Sequence, residues 1–303
     1  MTGAAGFLGT HVVAALLERG HLVTSLVHRS SLPLQIEERC ERVIAGDICD
    51  AAVQRQAVER VDAICHLAAH IPPTYAGLQD AAVCYAVNAL ATLQLATLAA
   101  EQGVGRFVHF STGNMYAACE RPCVESDLVD PAAYAADYMV SKLASERYVT
   151  AVCKGSAMTP VVLRVGTPYG PGEPEGKVIP TFLRLATRHL PLPVQGGGVA
   201  RFNFVHAADV AGLAATAAQH GGEGIFNVGS GESTSLLELG HAVAELYGEA
   251  DVPLAIAPAT GEPFAGFSAM SIEKARSVFG FAPRSLATGL AELKSAAEQD
   301  QQR

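Results

Sequence analysis

Short apolar runs alternate with longer stretches of helical period through the first half of the chain. The runs "HLVTSLVH", "RVIAGD", "AICHLA" and "RFVHFS", followed later by "PVVLRV" and "IFNV", are rich in Val, Ile and Phe. Runs this short and this continuously apolar suit strands buried on both faces. Between and after the first four, the apolar positions take a helical spacing over 7–19, 51–59, 83–102 and 134–153. Strands alternating with helices predict right-handed βαβ units, and hence an α/β fold with a doubly wound parallel sheet. After about Gly166 the texture changes. Pro and Gly cluster in "GTPYGPGEPEGKVIP" and "LPLPVQGGG", which read as loops of the kind that shape a binding site. Helical patterns return over 207–219, 236–247, 271–279 and 286–298, and the last residues, "EQDQQR", read as frayed.

Half of the 303 residues are apolar, enough for a sizeable core. The formal net charge of −9 argues against a nucleic-acid partner, because phosphate binding needs a basic face. Seven scattered cysteines read as reduced thiols in a cytoplasm rather than a disulfide framework. Cys119 and Cys123 lack the further ligands of a zinc pattern, so no metal is expected. The start of the chain lacks the pattern of a signal peptide. Residues 81–100 carry no charge over the length of a membrane span. They are rich in Ala, however, and hold Asn88, Gln94 and two threonines without basic flanks. A helix buried in a core or a subunit contact is expected there, and no membrane partner.

Gly3, Gly6 and Gly9 have the spacing of a turn that enters a helix. Such glycines permit a tight turn, a close backbone approach to a pyrophosphate, and close helix–strand packing. The helix that starts at Phe7 and Leu8 offers free N–H groups and a positive dipole end to the phosphates. The next strand ends in His28, Arg29 and Ser30. An acidic residue there would favour NAD; Arg29 can hold a 2′-phosphate, so NADP is favoured. Asp47, followed by Ile48, is placed to accept from an adenine amino group, or else to cap the following helix.

"YMVSK" carries the chemistry. Tyr138 and Lys142 stand one helical turn apart on one face. An ammonium near a phenol stabilises the phenolate, making Tyr138 a usable proton carrier near neutral pH. Thr112, in "FSTGNMY" at a strand end, can bond a substrate oxygen. Tyr134, one turn earlier, has no lysine four residues on.

The ordered motifs "TGAAGFLG", "AGDI", "HLAA", "YAVNALAT", "FSTGNMY", "YMVSKLASE", "LRVGTPYGPG", "RFNFVHAADVA" and "FNVGSG" resemble those of the extended short-chain dehydrogenase/reductase family, also called the NAD-dependent epimerase/dehydratase family. The resemblance implies a Rossmann-like dinucleotide-binding domain over 1–165. A smaller substrate domain would take up most of 166–303, with about 204–228 returning to the first. It implies Thr112, Tyr138 and Lys142 as catalytic, with Lys142 also on the nicotinamide ribose. Leu67, Ala68 and Ala69 would line the cofactor cleft, Asn88 would support the site, and Thr167 would approach the nicotinamide. Asn114, Lys177 and Arg201 form the expected substrate set, with a structural salt bridge as the alternative role for Arg201. A homodimer through the 81–100 helix and the Tyr138 helix is also implied. Two departures stand out. Gly113 and Asn114 occupy the places of an Asp-Glu pair, which argues against 4,6-dehydratase activity. Val165 and Thr167 replace a common Pro and Asn. His11, His66, His70, His109 and His206 show no metal spacing, and His206 reads as structural.

The expected function is hydride transfer between NAD(P) and a carbinol or ketone carbon of a small molecule. The alternatives are a nucleotide-sugar epimerase with tightly held NAD, or a non-catalytic dinucleotide sensor or truncated, inactive chain. The glycine turn raises one more expectation. It follows a single Met where a whole strand belongs, so Met1 is expected to stand at the end of a first strand, with several residues missing upstream. If the chain begins there, a gap or strand slide at the sheet centre and weak cofactor binding are expected.

Overall fold

The computed structural model describes residues 1–73, 78–131, 135–248, 255–259 and 264–301; Tyr134 lies outside them. The first half runs α1 (Phe7–Glu18), β1 (Thr24–Val27), α2 (Leu34–Glu37), β2 (Arg42–Ala45), α3 (Ala51–Ala57) and β3 (Ala63–His66). One long helix follows, α4 (Ala81–Cys84), a π-helical segment (Tyr85–Leu90) and α5 (Ala91–Glu101). Then come β4 (Arg106–Thr112), α6 (Ala136–Lys154) and β5 (Thr159–Val165). The second half holds β6 (Thr167–Tyr169), α7 (Val178–Ala186), β7 (Leu192–Gln195), β8 (Arg201–Phe202), β9 (Phe204–His206) and α8 (Ala207–Gln219). It ends with β10 (Gly224–Val228), β11 (Thr234–Ser235), α9 (Leu236–Tyr247), β12 (Ile256–Ala259), α10 (Glu273–Phe279) and α11 (Leu286–Gln301).

The strands β10-β5-β4-β3 form one parallel ladder and β1-β2 another. Thr2 joins them, bridging Leu26 on one side and His66 on the other, both parallel. Thr2 N–H donates to the Cys65 carbonyl and Leu67 N–H to the Thr2 carbonyl, while Leu26 N–H donates to the Met1 carbonyl at 2.8 Å. The β1-β2 ladder flanks this short segment on one side and the β3-β4 ladder on the other.

Helices cover both faces, as a doubly wound α/β fold requires. On one face Val12, Val13 and Leu16 of α1 pack with Val210 and Ala214 of α8 against Val108, Val161 and Leu163. On the other, Leu95, Ala96 and Ala99 of α5 pack with Val149 and Cys153 of α6 against Ile64 and Phe107. The Ala81–Glu101 helix, long and apolar enough to cross a membrane by length and composition, buries one face in this second layer. A third apolar cluster joins Ile179 and Phe182 of α7, Leu239 and Val243 of α9, and Leu286 and Leu290 of α11.

Local signals set several boundaries. Asp50 caps α3 by accepting from Ala52 N–H, and α9 opens with a reciprocal capping box of Ser235 and Glu238. Parts of the two stretches read as loops are structured. Thr167–Tyr169 form β6, residues 178–180 open α7, and "LPVQ" forms β7, paired with β12 more than sixty residues on. Its buried–exposed alternation was masked by two prolines, and its partner is remote in sequence.

Candidate active site

The glycine turn is shaped by contact. Gly3 has φ +67°, and a Cβ there would lie 2.6 Å from Ala68 N. A Cβ on Gly9 would lie 2.1 Å from the Gly3 carbonyl oxygen. Gly6 is exposed, and its nearest obstacle is 3.3 Å away. It caps α1 without a side-chain bond, so the first N–H groups of the helix, at Phe7 and Leu8, face outward. The turn is therefore pressed against the end of β3 and open at its apex, which fits a dinucleotide pyrophosphate. Thr2 Oγ1 accepts from Ala68 N–H at 3.2 Å, fixing the half-buried Leu67–Ala69 segment beside the turn.

Across the cleft, His28 and Arg29 are exposed past the end of β1. His28 Nε2 lies 4.0 Å from an oxygen of the exposed Asp47. Asp47 accepts from Cys49 N–H, and the capping role belongs to Asp50. Ile48 is buried in the second layer.

Thr112 ends β4, buried, and accepts from Asn114 N–H at 3.1 Å. On α6, Tyr138 is half-buried and Lys142 is buried. Burial pushes the Lys142 ammonium down to about 8, against the upward pull of the Glu146 carboxylate one turn on. Asn88, in the π-helical segment, donates to the His70 carbonyl and to Ser141 Oγ while accepting from His70 N–H. Single π turns inside helices recur at functional sites.

Two stacked, buried imidazoles lie beneath Lys142. Thr2 Oγ1, which already accepts from Ala68, donates to His66 Nδ1 at 2.7 Å. His66 Nε2–H then donates to Thr92 Oγ1, whose own proton goes to the Asn88 carbonyl. That chain fixes a neutral tautomer. Burial lowers His66 to about 3, helped by Lys142. His109 Nε2 meets Ser145 Oγ at 2.8 Å, and burial holds this ring neutral too.

Around the ends of β4 and β5 lie buried polar atoms with no hydrogen-bond partner among the described residues: Ser111 Oγ, Asn114 Oδ1 and Thr167 Oγ1. Gly113 and Gly166 pack tightly below them; a Cβ on Gly113 would lie 2.0 Å from Met270 Sδ. Lys177 is exposed at the start of α7, and its charge pulls down on Glu173, which burial raises to about 7. Arg201 is exposed and bonded to the Ser233 carbonyl and Glu238. Among the described residues, Cys119, Cys123 and Asp127 bring ligand atoms within 4.8 Å of one another, with Asp127 already held by Arg121.

The family described as "NAD dependent epimerase/dehydratase family" is matched over residues 1–229. The chain belongs to this family. It is 29% identical over 260 residues to the dTDP-D-glucose 4,6-dehydratase of Mus musculus, covering 82% of this chain and 72% of that protein. It is 31% identical over 305 residues to the UDP-glucose 4-epimerase of Mycolicibacterium smegmatis, covering 96% of each. The structure of MoeE5 in complex with UDP-glucuronic acid and NAD superposes with a TM-score of 0.82 at 30% identity, over 96% of this chain and 95% of that one. NAD dependence follows for this epimerase/dehydratase chain.

The dehydratase relative corrects one expectation. Gly113 and Asn114 do not exclude 4,6-dehydratase activity, because relatives with that name match most of the chain. Gly113 answers to packing against Met270, so its identity carries no statement about elimination chemistry.

Several site-building residues escaped the sequence reading: His66, Ser141, Glu146, Arg164 and Tyr116. Arg164 carried a legible signal. It is a lone charge in an otherwise apolar strand, and a buried charge demands a partner.

Proposed function

We propose that this epimerase/dehydratase family member oxidises a hydroxyl-bearing ring carbon of a nucleotide sugar and returns the hydride within the same site. The observation that carries it is Lys142, buried on α6 one turn from Tyr138, beside the polar end of β4. NAD, when bound, accepts and returns the hydride. Tyr138 takes the hydroxyl proton as the carbon is oxidised and gives one back on reduction. The Lys142 ammonium favours the phenolate that this requires. Thr112 Oγ orients the substrate oxygen, and the unpartnered Ser111, Asn114 and Thr167 atoms offer further bonds to sugar or nicotinamide. The two imidazoles below are held neutral and add no positive charge beside Lys142.

The substrate class is supported by the relatives' names, which refer to UDP-glucose, dTDP-glucose and UDP-glucuronic acid. Lys177 and Arg201 are assigned to the diphosphate end, Arg201 after release from Glu238. On the cofactor, Arg29 is assigned to a 2′-phosphate and Asp47 to the adenine amino group, so NADP would bind at least as tightly as NAD. Residues 1–165 would hold the dinucleotide and 166–303 mainly the substrate. Seven free cysteines support a cytoplasmic location. Exposed Val83, Tyr85, Leu90 and Val140 support a homodimer through the Ala81–Glu101 helix and α6; sedimentation would test it.

The functional test uses purified protein, NAD, and UDP-glucose or dTDP-glucose, with the sugar followed by NMR. A product altered at a ring carbon by the wild-type chain, and not by Tyr138→Phe, is expected. No altered sugar from either nucleotide would overturn the substrate class.

A further inference from the structure

Lys142 is buried beside groups that could strip or hold its charge. Neutral His66 on β3 and His109 on β4 lie close enough to interact electrostatically with it, and Tyr138 and Glu146 stand on its own helix. Of these, Glu146 supplies the negative charge. The Glu146 carboxylate does not face solvent. Arg164, rising from β5, grips both its oxygens, Nε to Oε1 at 3.0 Å and Nη2 to Oε2 at 2.8 Å, with both side chains almost wholly buried. A planar guanidinium fork of this kind fixes the carboxylate's position.

The fork is itself anchored. Arg164 Nη1 donates to Tyr116 Oη at 2.9 Å, and Tyr116 donates on to Asn227 Oδ1 at 2.6 Å. Asn227 Nδ2 reaches the carbonyls of Cys123 and Ser271, and Asn227 N–H donates to Glu125 Oε1. Those segments flank Met270, which packs on Gly113 and Gly166 under the substrate side. The chain of contacts thus runs unbroken from the Lys142 helix to the wall of the cleft.

We propose that Glu146 is a positioning residue for Lys142: its carboxylate, clamped by Arg164, holds the buried ammonium charged, and Tyr116 and Asn227 tie that clamp to the segments around Met270. The proposal rests on the hydride-transfer reading for its meaning, since only that chemistry needs a charged Lys142. Its test does not use turnover.

The full-length chain has five lysines, so lysine labelled with ¹³C at Cε gives a resolvable spectrum. The Lys142 signal is assigned by its loss in Lys142→Met. In the wild type it is expected to titrate near 8. Glu146→Gln keeps an acceptor for Arg164 but removes the charge. Its Lys142 midpoint is expected to fall by about one unit or more, roughly tenfold in the ammonium–amine equilibrium. Glu146→Asp should fall between the two. Tyr116→Phe, which leaves the fork intact, should titrate like the wild type. An unmoved Lys142 midpoint in Glu146→Gln would make the pair merely structural and overturn the proposal. If that variant does not fold, an unmoved midpoint in Glu146→Asp overturns it equally. A shifted midpoint in a chain that turns over no nucleotide sugar would sustain the electrostatic role and sink the hydride-transfer reading instead.

Discussion

Asn88 Nδ2 donates to Ser141 Oγ at 3.0 Å, and Ser141 Oγ donates in turn to the Tyr138 carbonyl at 2.7 Å. The same amide holds both polar groups of His70 that it can reach, its N–H and its carbonyl. One side chain therefore ties the loop beyond β3 to the helix that carries Tyr138. Asn88→Ala should leave buried partners unsatisfied, at about 1–3 kcal/mol each, and let the helix shift. A shift of about 1 Å lowers kcat by up to roughly 10²-fold. Thermal melts and steady-state kinetics would read both effects; unchanged kcat would remove Asn88 from the site.

Tyr138→Phe removes the proton carrier. The expected loss in kcat is about 10²–10⁴-fold, with NAD affinity by fluorescence unchanged within a few-fold. In the wild type, the rate should fall as pH rises past about 8, where Lys142 loses its proton. A rate flat across that range would exclude the Lys142 ammonium from the chemistry.

The glycine turn separates packing from function. Gly9→Ala would drive a Cβ to 2.1 Å from the Gly3 carbonyl, so the turn must distort. Overpacking of this kind costs about 1–3 kcal/mol, and NAD binding should weaken with it. Gly6→Ala meets its nearest atom at 3.3 Å and should fold normally. Its methyl group would stand at the open apex of the turn proposed to take the phosphate, so only NAD affinity should drop. Calorimetry on both variants distinguishes the two; equal losses of stability would contradict the geometry.

Glu173 makes stability depend on pH. Burial raises its carboxyl from 4.5 to about 7 in the folded chain. The folded state then holds a proton that the unfolded state releases. Its contribution is fully present below about 4.5 and is lost as pH rises through about 7. Glu173→Gln keeps the neutral shape, so it should gain melting temperature relative to the wild type as pH rises through that window. A constant difference between the two would mean that Glu173 does not titrate there.

The strands and helices of the sheet were legible because each carries its own period. "PVVLRV" and the α8 stretch could be placed without knowing their neighbours. What was not legible depends on contacts between distant segments. β7 pairs with β12 across the chain, and Pro193 within it and Pro191 just before it hid the alternation. The placement of Tyr138 and Lys142 one turn apart on one helix, and of Thr112 at a strand end, was legible from spacing. The Glu146–Arg164–Tyr116–Asn227 network was not, because its members come from four separate segments and meet only in the fold. The Gly113 position shows the opposite error, a chemical meaning given to a residue that packing explains.

The central claim is that hydride leaves and returns to a sugar carbon in a site run by Tyr138. Deuterium at C4 of the hexose in UDP-glucose or dTDP-glucose tests it most directly. Incubated with NAD-loaded protein, the labelled sugar should yield a product in which the deuterium has left C4 and been returned to the same molecule, with Tyr138→Phe inactive. Product whose deuterium never leaves C4, or equal turnover by Tyr138→Phe, would contradict it.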